Sequence, residues 1–594
     1  MSATAHQDVV NHSPAAHAAG FLSHYSAVAD AEHHHRRGPS PLRKWLRMIR
    51  PEHAEIRMIV LFTATVGLLA LASPIAVEAL VNSVAFGGLI QPVVVLTLML
   101  LACLVFAAGL TAFEYYLTEL IQRRLFLRSA AQATLTLTRA RPRYGPHTNP
   151  TVMVNRFLEV AQVQKITAAL LLDGISILLT TLIGMTVLAF YHPVLLAFDI
   201  GLTFAILLLV IPLSRRGVAT AVDESLAKHA LVRWLEQLSQ PGVTFHSRSG
   251  MQLGSDVAAS LTAHYLEART SHFRIVFRQL TFGLAIQVLS LVLLLGLGGW
   301  LVINGQMTLG QLVAAELIIA LVTGQLAKVG KYLESYYDLM ASVDKLDSLL
   351  DLEVERDGGE TPPANSAGAA VRLHDAAFRH SADQPVLQHL EAALAPGGAL
   401  AVLGDEGTGK TVLADLLLAR RVPSAGVVEV DGVDLRQWDL AALRERVAYV
   451  GEDGPLLEAT LLENVRQARE SIDLDGVRSA LAAVELLEDS LRLPEGLETR
   501  VGVDGAPLSR GQARRLRLAA ALAGRPKLLI LDGVLDPLDE ERRVRVWQSI
   551  RRDYPATVVL LTRDRRTARL GDAVLELPLT PRQDRSATTE EHPQ

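Results

Sequence analysis

Five residues within an eight-residue stretch set the chemistry of this 594-residue chain: Gly404, Gly407, Gly409, Lys410 and Thr411. Their spacing fits G-x-x-x-x-G-K-[ST], and the stretch lies between a β-rich apolar run at residues 399–403 and a helical pattern. Phosphate binding needs these types in this order. Glycines let backbone N–H groups converge on a phosphate, Lys410 reaches terminal phosphates, and the Thr411 hydroxyl suits a magnesium ion (Mg2+). The start of the next helix adds a dipole that favours an anion. Further along stand Leu508, Ser509, Arg510, Gly511 and Gln512 before a basic helix, then a buried-strand pattern running from Lys527 to Asp532. A carboxylate at such a strand end is placed to hold magnesium.

The rest of the chain must position these groups, and its composition says how. Half of the residues are hydrophobic and 20% are charged, which excludes a disordered chain and a disulfide scaffold. Cys103 is the single cysteine and lies in an apolar run, where a small buried side chain is expected. A net charge of −5 gives no sign of a nucleic-acid partner. Charge density nearly doubles beyond residue 360, so an oily first half precedes a soluble second one.

Six stretches of the first half are long and apolar enough to cross a bilayer as helices: residues 59–86, 90–113, 166–191, 193–213, 282–303 and 309–327. The short connections at Gly87-Gly88, Tyr191-His192 and residues 304–308 carry no Lys or Arg, whereas residues 122–165 hold eight basic residues and one acid, Glu159. Basic residues are retained on the cytoplasmic side, so both termini and the nucleotide site are expected in the cytoplasm. An integral protein of the plasma (inner) membrane is expected. The excursions at residues 122–165 and 214–280 read as helical extensions of the spans, with turns near residues 146–154 and 240–249. Before the first span, Leu42, Trp45, Leu46 and Ile49 alternate with Arg43, Lys44, Arg47 and Arg50, the pattern of an amphipathic helix on an anionic lipid face. Residues 1–40, including His33, His34 and His35, read as a mobile tail, residues 352–370 as a linker, and residues 579–594 as a polar tail.

The order of the second-half motifs resembles the ATP-binding domain of ABC transporters, and six spans with long extensions resemble the membrane half of an exporter in that superfamily. The likeness covers residues 41–578. It implies an all-α six-helix transmembrane domain at residues 41–351 and an α/β phosphate-loop domain at residues 371–578. Leu508 to Gln512 is similar to the LSGGQ signature with one glycine replaced by Arg510, and Asp536 to Asp539 is similar to the D-loop. By this likeness His380, Gly404, Gly407, Gly409, Lys410, Thr411, Glu452 and Asp532 bind ATP, with Thr411 and Asp532 on Mg2+. Two such domains sandwich two ATP molecules, each between one domain's phosphate loop and the other's signature.

Four positions depart from the family. Gly533 follows Asp532 where a glutamate would polarise the attacking water, and Arg563 replaces the switch histidine. Glu452 stands for the Q-loop glutamine and His380 for the adenine-stacking tyrosine. Asp536, Glu540 and Glu541 align with the D-loop and the helix after it, which argues against any of them as a substitute base. The binding groups persist and the chemical groups are lost, so hydrolysis at this phosphate loop is expected to be very slow. Ser509, Gly511 and Gln512 remain able to serve ATP on a second half-transporter with an intact Walker B glutamate. The expectation is therefore one subunit of a heterodimeric exporter for an unknown substrate; the alternative is a homodimeric, non-hydrolysing ATP-gated channel or regulator.

Glu78, Asp199 and Glu316 lie within the spans. At 1.5 Å per residue Asp199 and Glu316 fall about 10 Å below the outer surface. Either they line a negative vestibule on the transport path, or they are protonated or wetted groups bonded to neighbouring helices.

Overall fold

The computed structural model describes residues 40–85, 90–141, 154–212, 216–239, 244–362, 368–381, 384–452 and 454–578, and falls into two compact units that divide between Glu353 and Val354. Both tails, Gly87-Gly88, and most of the turn near residues 146–154 lie outside the described residues, as do residues 240–243 of the second turn.

In the first unit, six stretches among the described residues are long and apolar enough to span a membrane: Pro41–Ser83, Ile90–Arg139, Arg156–Tyr191, Pro193–Val210, Arg248–Ile303 and Leu309–Leu350. The α-helices of this unit are α1 (Pro41–Ile49), α2 (His53–Ala70), α3 (Ala72–Ala85), α4 (Ile90–Arg139), α5 (Glu159–Ala169), α6 (Ile175–Tyr191), α7 (Pro193–Val210), α8 (Gly217–Ser239), α9 (Arg248–Ile303) and α10 (Leu309–Leu350), of which α8 lies outside the six stretches. At 1.5 Å per residue the 50-residue α4 is about 75 Å long, more than twice a hydrocarbon core of about 30 Å. The spans do continue as helical extensions. Leu98, Val105 and Phe106 on α4 and Val288 and Val292 on α9 are exposed, an apolar surface that lipid would cover.

The first span is broken where a single helix was expected. α2 stops at Ala70 and α3 restarts at Ala72, because Pro74 has no N–H to give to the carbonyl of Ala70 and its ring crowds that carbonyl. The third is also irregular, with a π-helical turn at Leu170–Gly174 between α5 and α6. Inside the bundle Leu188, Leu195, Leu202, Leu294, Leu301 and Ile318 belong to one buried apolar cluster.

Helix α1 departs from a simple surface helix. Trp45 and Ile49 pack with Leu125, Val163 and Leu346, and the Trp45 Nε1 donates to Thr167 Oγ1 at 3.0 Å. Lys44 is held by Asp344 at 3.0 Å and Asp347 at 2.9 Å, so it is not offered to lipid. Leu42, Leu46, Arg43, Arg47 and Arg50 remain exposed and keep the amphipathic character on that side.

The second unit is built on a parallel sheet in the order β11-β3-β10-β9-β6: Ala573–Glu576, Ala399–Leu403, Thr557–Thr562, Leu528–Asp532 and Val447–Val450. Strand β10 is wholly buried, as is β3, which accounts for their near-continuous apolar runs. An antiparallel sheet, β2-β1-β4-β5, comprises Gln384–Leu394, Val371–Ser381, Ala425–Val430 and Val433–Asp434. A two-stranded ladder of β7 (Ala459–Thr460) and β8 (Arg500–Val501) borders the helical part. Three helices matter below: α11 (Lys410–Leu417), α12 (Arg510–Ala523) and α13 (Glu540–Asp553). Part of the expected linker is anchored rather than free, since Glu355 pairs with Arg444 and Arg356 donates to the carbonyls of Leu435 and Trp438 at 3.0 and 2.6 Å.

Candidate nucleotide site

Parallel strands place their carboxyl ends on one edge, and that edge gathers the candidate residues. Gly404 follows β3, Glu452 follows β6 closely, Asp532 ends β9 and Arg563 follows β10. Register fixes their level: Leu403 pairs with Thr562, Asp532 with Leu561, and Val450 with Leu531.

The phosphate loop has the backbone shape its glycines allow. Gly409 caps α11 at φ +94°, and a Cβ there would lie 2.7 Å from Leu387 Cδ2, so both conformation and space demand glycine. The Lys410 ammonium donates to the carbonyls of Gly404 at 2.6 Å and Asp405 at 2.7 Å, folded over the loop that would hold a phosphate. Thr411 Oγ1 lies 3.4 Å from Asp532 Oδ2, and the Tyr449 hydroxyl donates to the same oxygen at 3.1 Å. Burial pushes the Asp532 carboxyl above the usual carboxylate range, against the Tyr449 and Thr411 hydrogen bonds and the charge of Lys410; the charge of Glu452 adds to the rise. A hydroxyl and a carboxylate converging beside a cationic lysine fit a magnesium ion brought in with nucleotide.

Where chemistry is expected to be missing, the geometry is specific. Gly533 has φ +66°, a region costly for other residues, and a Cβ there would lie 2.4 Å from Glu452 Oε1 and 2.7 Å from its Cγ. The space at 533 is filled by the Glu452 side chain. Arg563 forms an ion pair with Glu406 of the phosphate loop. Asp536 accepts from Thr562 Oγ1 at 2.6 Å and from the Arg563 N–H at 3.4 Å, so its carboxylate is engaged with the β10 end. Glu540 and Glu541 lie in the first turn of α13, paired with Arg566 and Arg545.

The signature forms a helix start of its own. Ser509 caps α12 in a reciprocal box: the Gln512 N–H donates to Ser509 Oγ at 3.3 Å and the Ser509 N–H to Gln512 Oε1 at 2.9 Å. Ser509, Arg510 and Gly511 are exposed, whereas Leu508 is half-buried against the helical core. Outside the box the Leu508 N–H donates to the Gly505 carbonyl at 2.8 Å and the Gln512 amide lies 3.4 Å from Asp489, while the phosphate loop bonds to β9 and β10. Asp539 caps α13 by accepting from the Arg542 N–H at 2.9 Å. His380, at the end of β1, exposes its ring between Phe378, 5.5 Å away edge-on, and Arg421, whose guanidinium lies 3.4 Å from His380 Nδ1.

The intramembrane acids differ from one another. Asp199 is 5% exposed between Leu195 and Leu202 on the core face of α7, and neither oxygen has a partner among the described residues. Glu78 is half-buried and accepts from the Tyr191 hydroxyl at 2.8 Å; Glu316 is half-buried. A further acid of the third span, Asp173, sits exposed in the π-helical turn. Tyr449 and Glu406 were missed: their roles depend on strand register and loop geometry, and a motif spacing carries neither.

Residues 387–535 match the ABC transporter family. Relatives include a multidrug efflux ATP-binding/permease protein of Mycobacterium bovis, 28% identical over 416 residues, which are 69% of this chain and 35% of that protein. An alpha-hemolysin translocation ATP-binding protein of Escherichia coli O157:H7 is 23% identical over 84% of this chain and 72% of its own length. The chain thus spans about a third of the first relative's length. A bacterial Atm1-family ABC exporter solved with ATP bound has the same fold, with TM-score 0.74 and 20% identity over 90% of this chain and 94% of the other.

Proposed function

We propose that this chain, which belongs to the ABC transporter superfamily as an exporter-type half-transporter, is the ATP-holding and hydrolytically impaired member of a heterodimeric exporter. One observation carries the reading: an intact phosphate loop with Lys410, Thr411 and Asp532 in place stands beside a strand end at Gly533 with no side chain. Mg2+, when bound with ATP, would neutralise phosphate charge. Thr411 and Asp532 would hold it, Lys410 would leave its carbonyls for the terminal phosphates, and the exposed His380 ring would face adenine. Ser509 and Gln512 would serve the ATP on a partner half-transporter with a Walker B glutamate. The membrane half would supply one side of the path for a substrate of unassigned class, with both termini and the ATP-binding unit in the cytoplasm.

The purified chain alone is expected to bind ATP through Lys410 yet release phosphate roughly 10²- to 10⁴-fold more slowly than an intact site, the usual contribution of a positioned base. Filter binding and phosphate release measured on one preparation would check this. Turnover at an ordinary transporter rate would remove the idea of an impaired site.

The Arg563–Glu406 pair gives a second expectation. Both side chains are well exposed, so the pair itself contributes little to stability. A γ-phosphate offers the guanidinium a better, bidentate partner. Arg563→Ala should therefore raise the Kd for ATP by about five- to tenfold while changing that for ADP by less than about twofold. Equal effects on ATP and ADP, read by titration calorimetry, would exclude a γ-phosphate contact.

A further inference from the structure

Gly533 removes a side chain from the site, but the space is not empty of carboxylate. Glu452 Oε1 lies where a residue at 533 would begin, beside Asp532 and at the same edge as Lys410. The loop that carries it is tied down, since the Glu452 carbonyl accepts from Arg514 Nε at 3.1 Å and from Arg517 at 2.9 Å, both on helix α12. The side chain itself is exposed and so can meet water. Two departures that look independent in the sequence, a glutamate gained at 452 and a side chain lost at 533, occupy one volume. The carboxylate at this edge thus comes from the residue two beyond the end of β6 rather than from the residue after β9.

We propose that Glu452 is the carboxylate that polarises the attacking water at this chain's own nucleotide site and carries the slow hydrolysis that remains there; this rests on the ATP-holding reading above. In the step, the water oxygen forms a bond to the γ-phosphorus. The bond from that phosphorus to the β–γ bridging oxygen breaks, with its electron pair leaving on ADP. The water proton passes to the Glu452 carboxylate and then to solvent, so ATP and water give ADP, phosphate and a proton. The rate is low because the Glu452 side chain is exposed to solvent, so a water beside it is held less tightly than in a closed site. With φ +66° at 533 and Glu452 lying against it, a glutamate added there is strained and displaces the base already present.

Single-turnover phosphate release by the full-length purified chain at saturating Mg-ATP, beside equilibrium ATP binding, tests this. Glu452→Gln should lower the residual rate by at least about tenfold with ATP affinity within about twofold, and Glu452→Asp should keep a measurable part of it. Gly533→Glu alone should not raise the rate, whereas Glu452→Gln combined with Gly533→Glu should exceed Glu452→Gln. A slow rate that Glu452→Gln leaves unchanged at full occupancy overturns the proposal and spares the impaired-site reading. Fast wild-type turnover that collapses in Glu452→Gln does the reverse. Loss of ATP binding in Glu452→Gln, unrescued by Glu452→Asp, assigns a binding role and also overturns it.

Discussion

In the complex with its proposed partner, Ser509→Arg should remove more than about 90% of ATP turnover although this chain's own site contributes little to it. Ser509 is extended at φ −66°, ψ 158°, and its hydroxyl and backbone close the box with Gln512. Loss of such a cap costs about 0.5–2 kcal/mol, and a cation at a helix N-terminus opposes the dipole that would face an anion. The long arginine also fills the exposed surface that Ser509 and Gly511 leave for a phosphate. Lys410→Ala acts on this chain's phosphate loop instead, so nucleotide occupancy there should fall while turnover falls by less than about threefold. Phosphate release from co-purified pairs carrying each change would compare them. Equal and severe losses would mean that this phosphate loop, and not the partner's, is the working one.

What could be read in the sequence follows from the range of the interactions. The phosphate loop is legible because Gly404 to Thr411 is contiguous and its strand and helix flank it directly. The six spans are legible because lipid imposes one length and one composition on a helix. Details set by packing are not. The break at Leu71 depends on Pro74, and the π-helical turn at Leu170–Gly174 leaves no compositional mark. Lys44 looks like a lipid-facing charge until α10 brings Asp344 and Asp347 to it. The burial of Asp199 follows from its place between Leu195 and Leu202 on one face of α7, which the sequence alone does not state. Most telling is Glu452: its meeting with Gly533 requires β6 to lie beside β9 in parallel register, which no local pattern states.

The chain just after Arg563 is anchored to helix α13. Arg543 on α13 is 5% exposed and donates to Asp564 Oδ2 at 2.5 Å and to Thr567 Oγ1 at 2.8 Å, directly after the switch position. Burial works against the charge on Asp564, yet the Arg566 N–H, Arg543 and Thr567 outweigh it and hold the carboxyl below its usual range. Removing one partner of a buried pair typically costs about 3–5 kcal/mol because the other is left unpaired; Asp564 is part-exposed, so the lower end applies. Arg543→Ala should thus lower the unfolding transition of the ATP-binding unit by roughly 6–12 °C, given about 2–4 °C per kcal/mol for a domain of this size. The pH dependence has a fixed sign. A carboxyl depressed in the folded state contributes stability above its unfolded pKa, near 4, and loses it as pH falls further. The gap between wild type and Arg543→Ala should therefore narrow as pH falls from about 5 toward 3. Thermal unfolding of the detergent-purified chain across that range would measure it. A pH-independent gap would mean that Arg543 acts through packing of its stem on α13 rather than through Asp564.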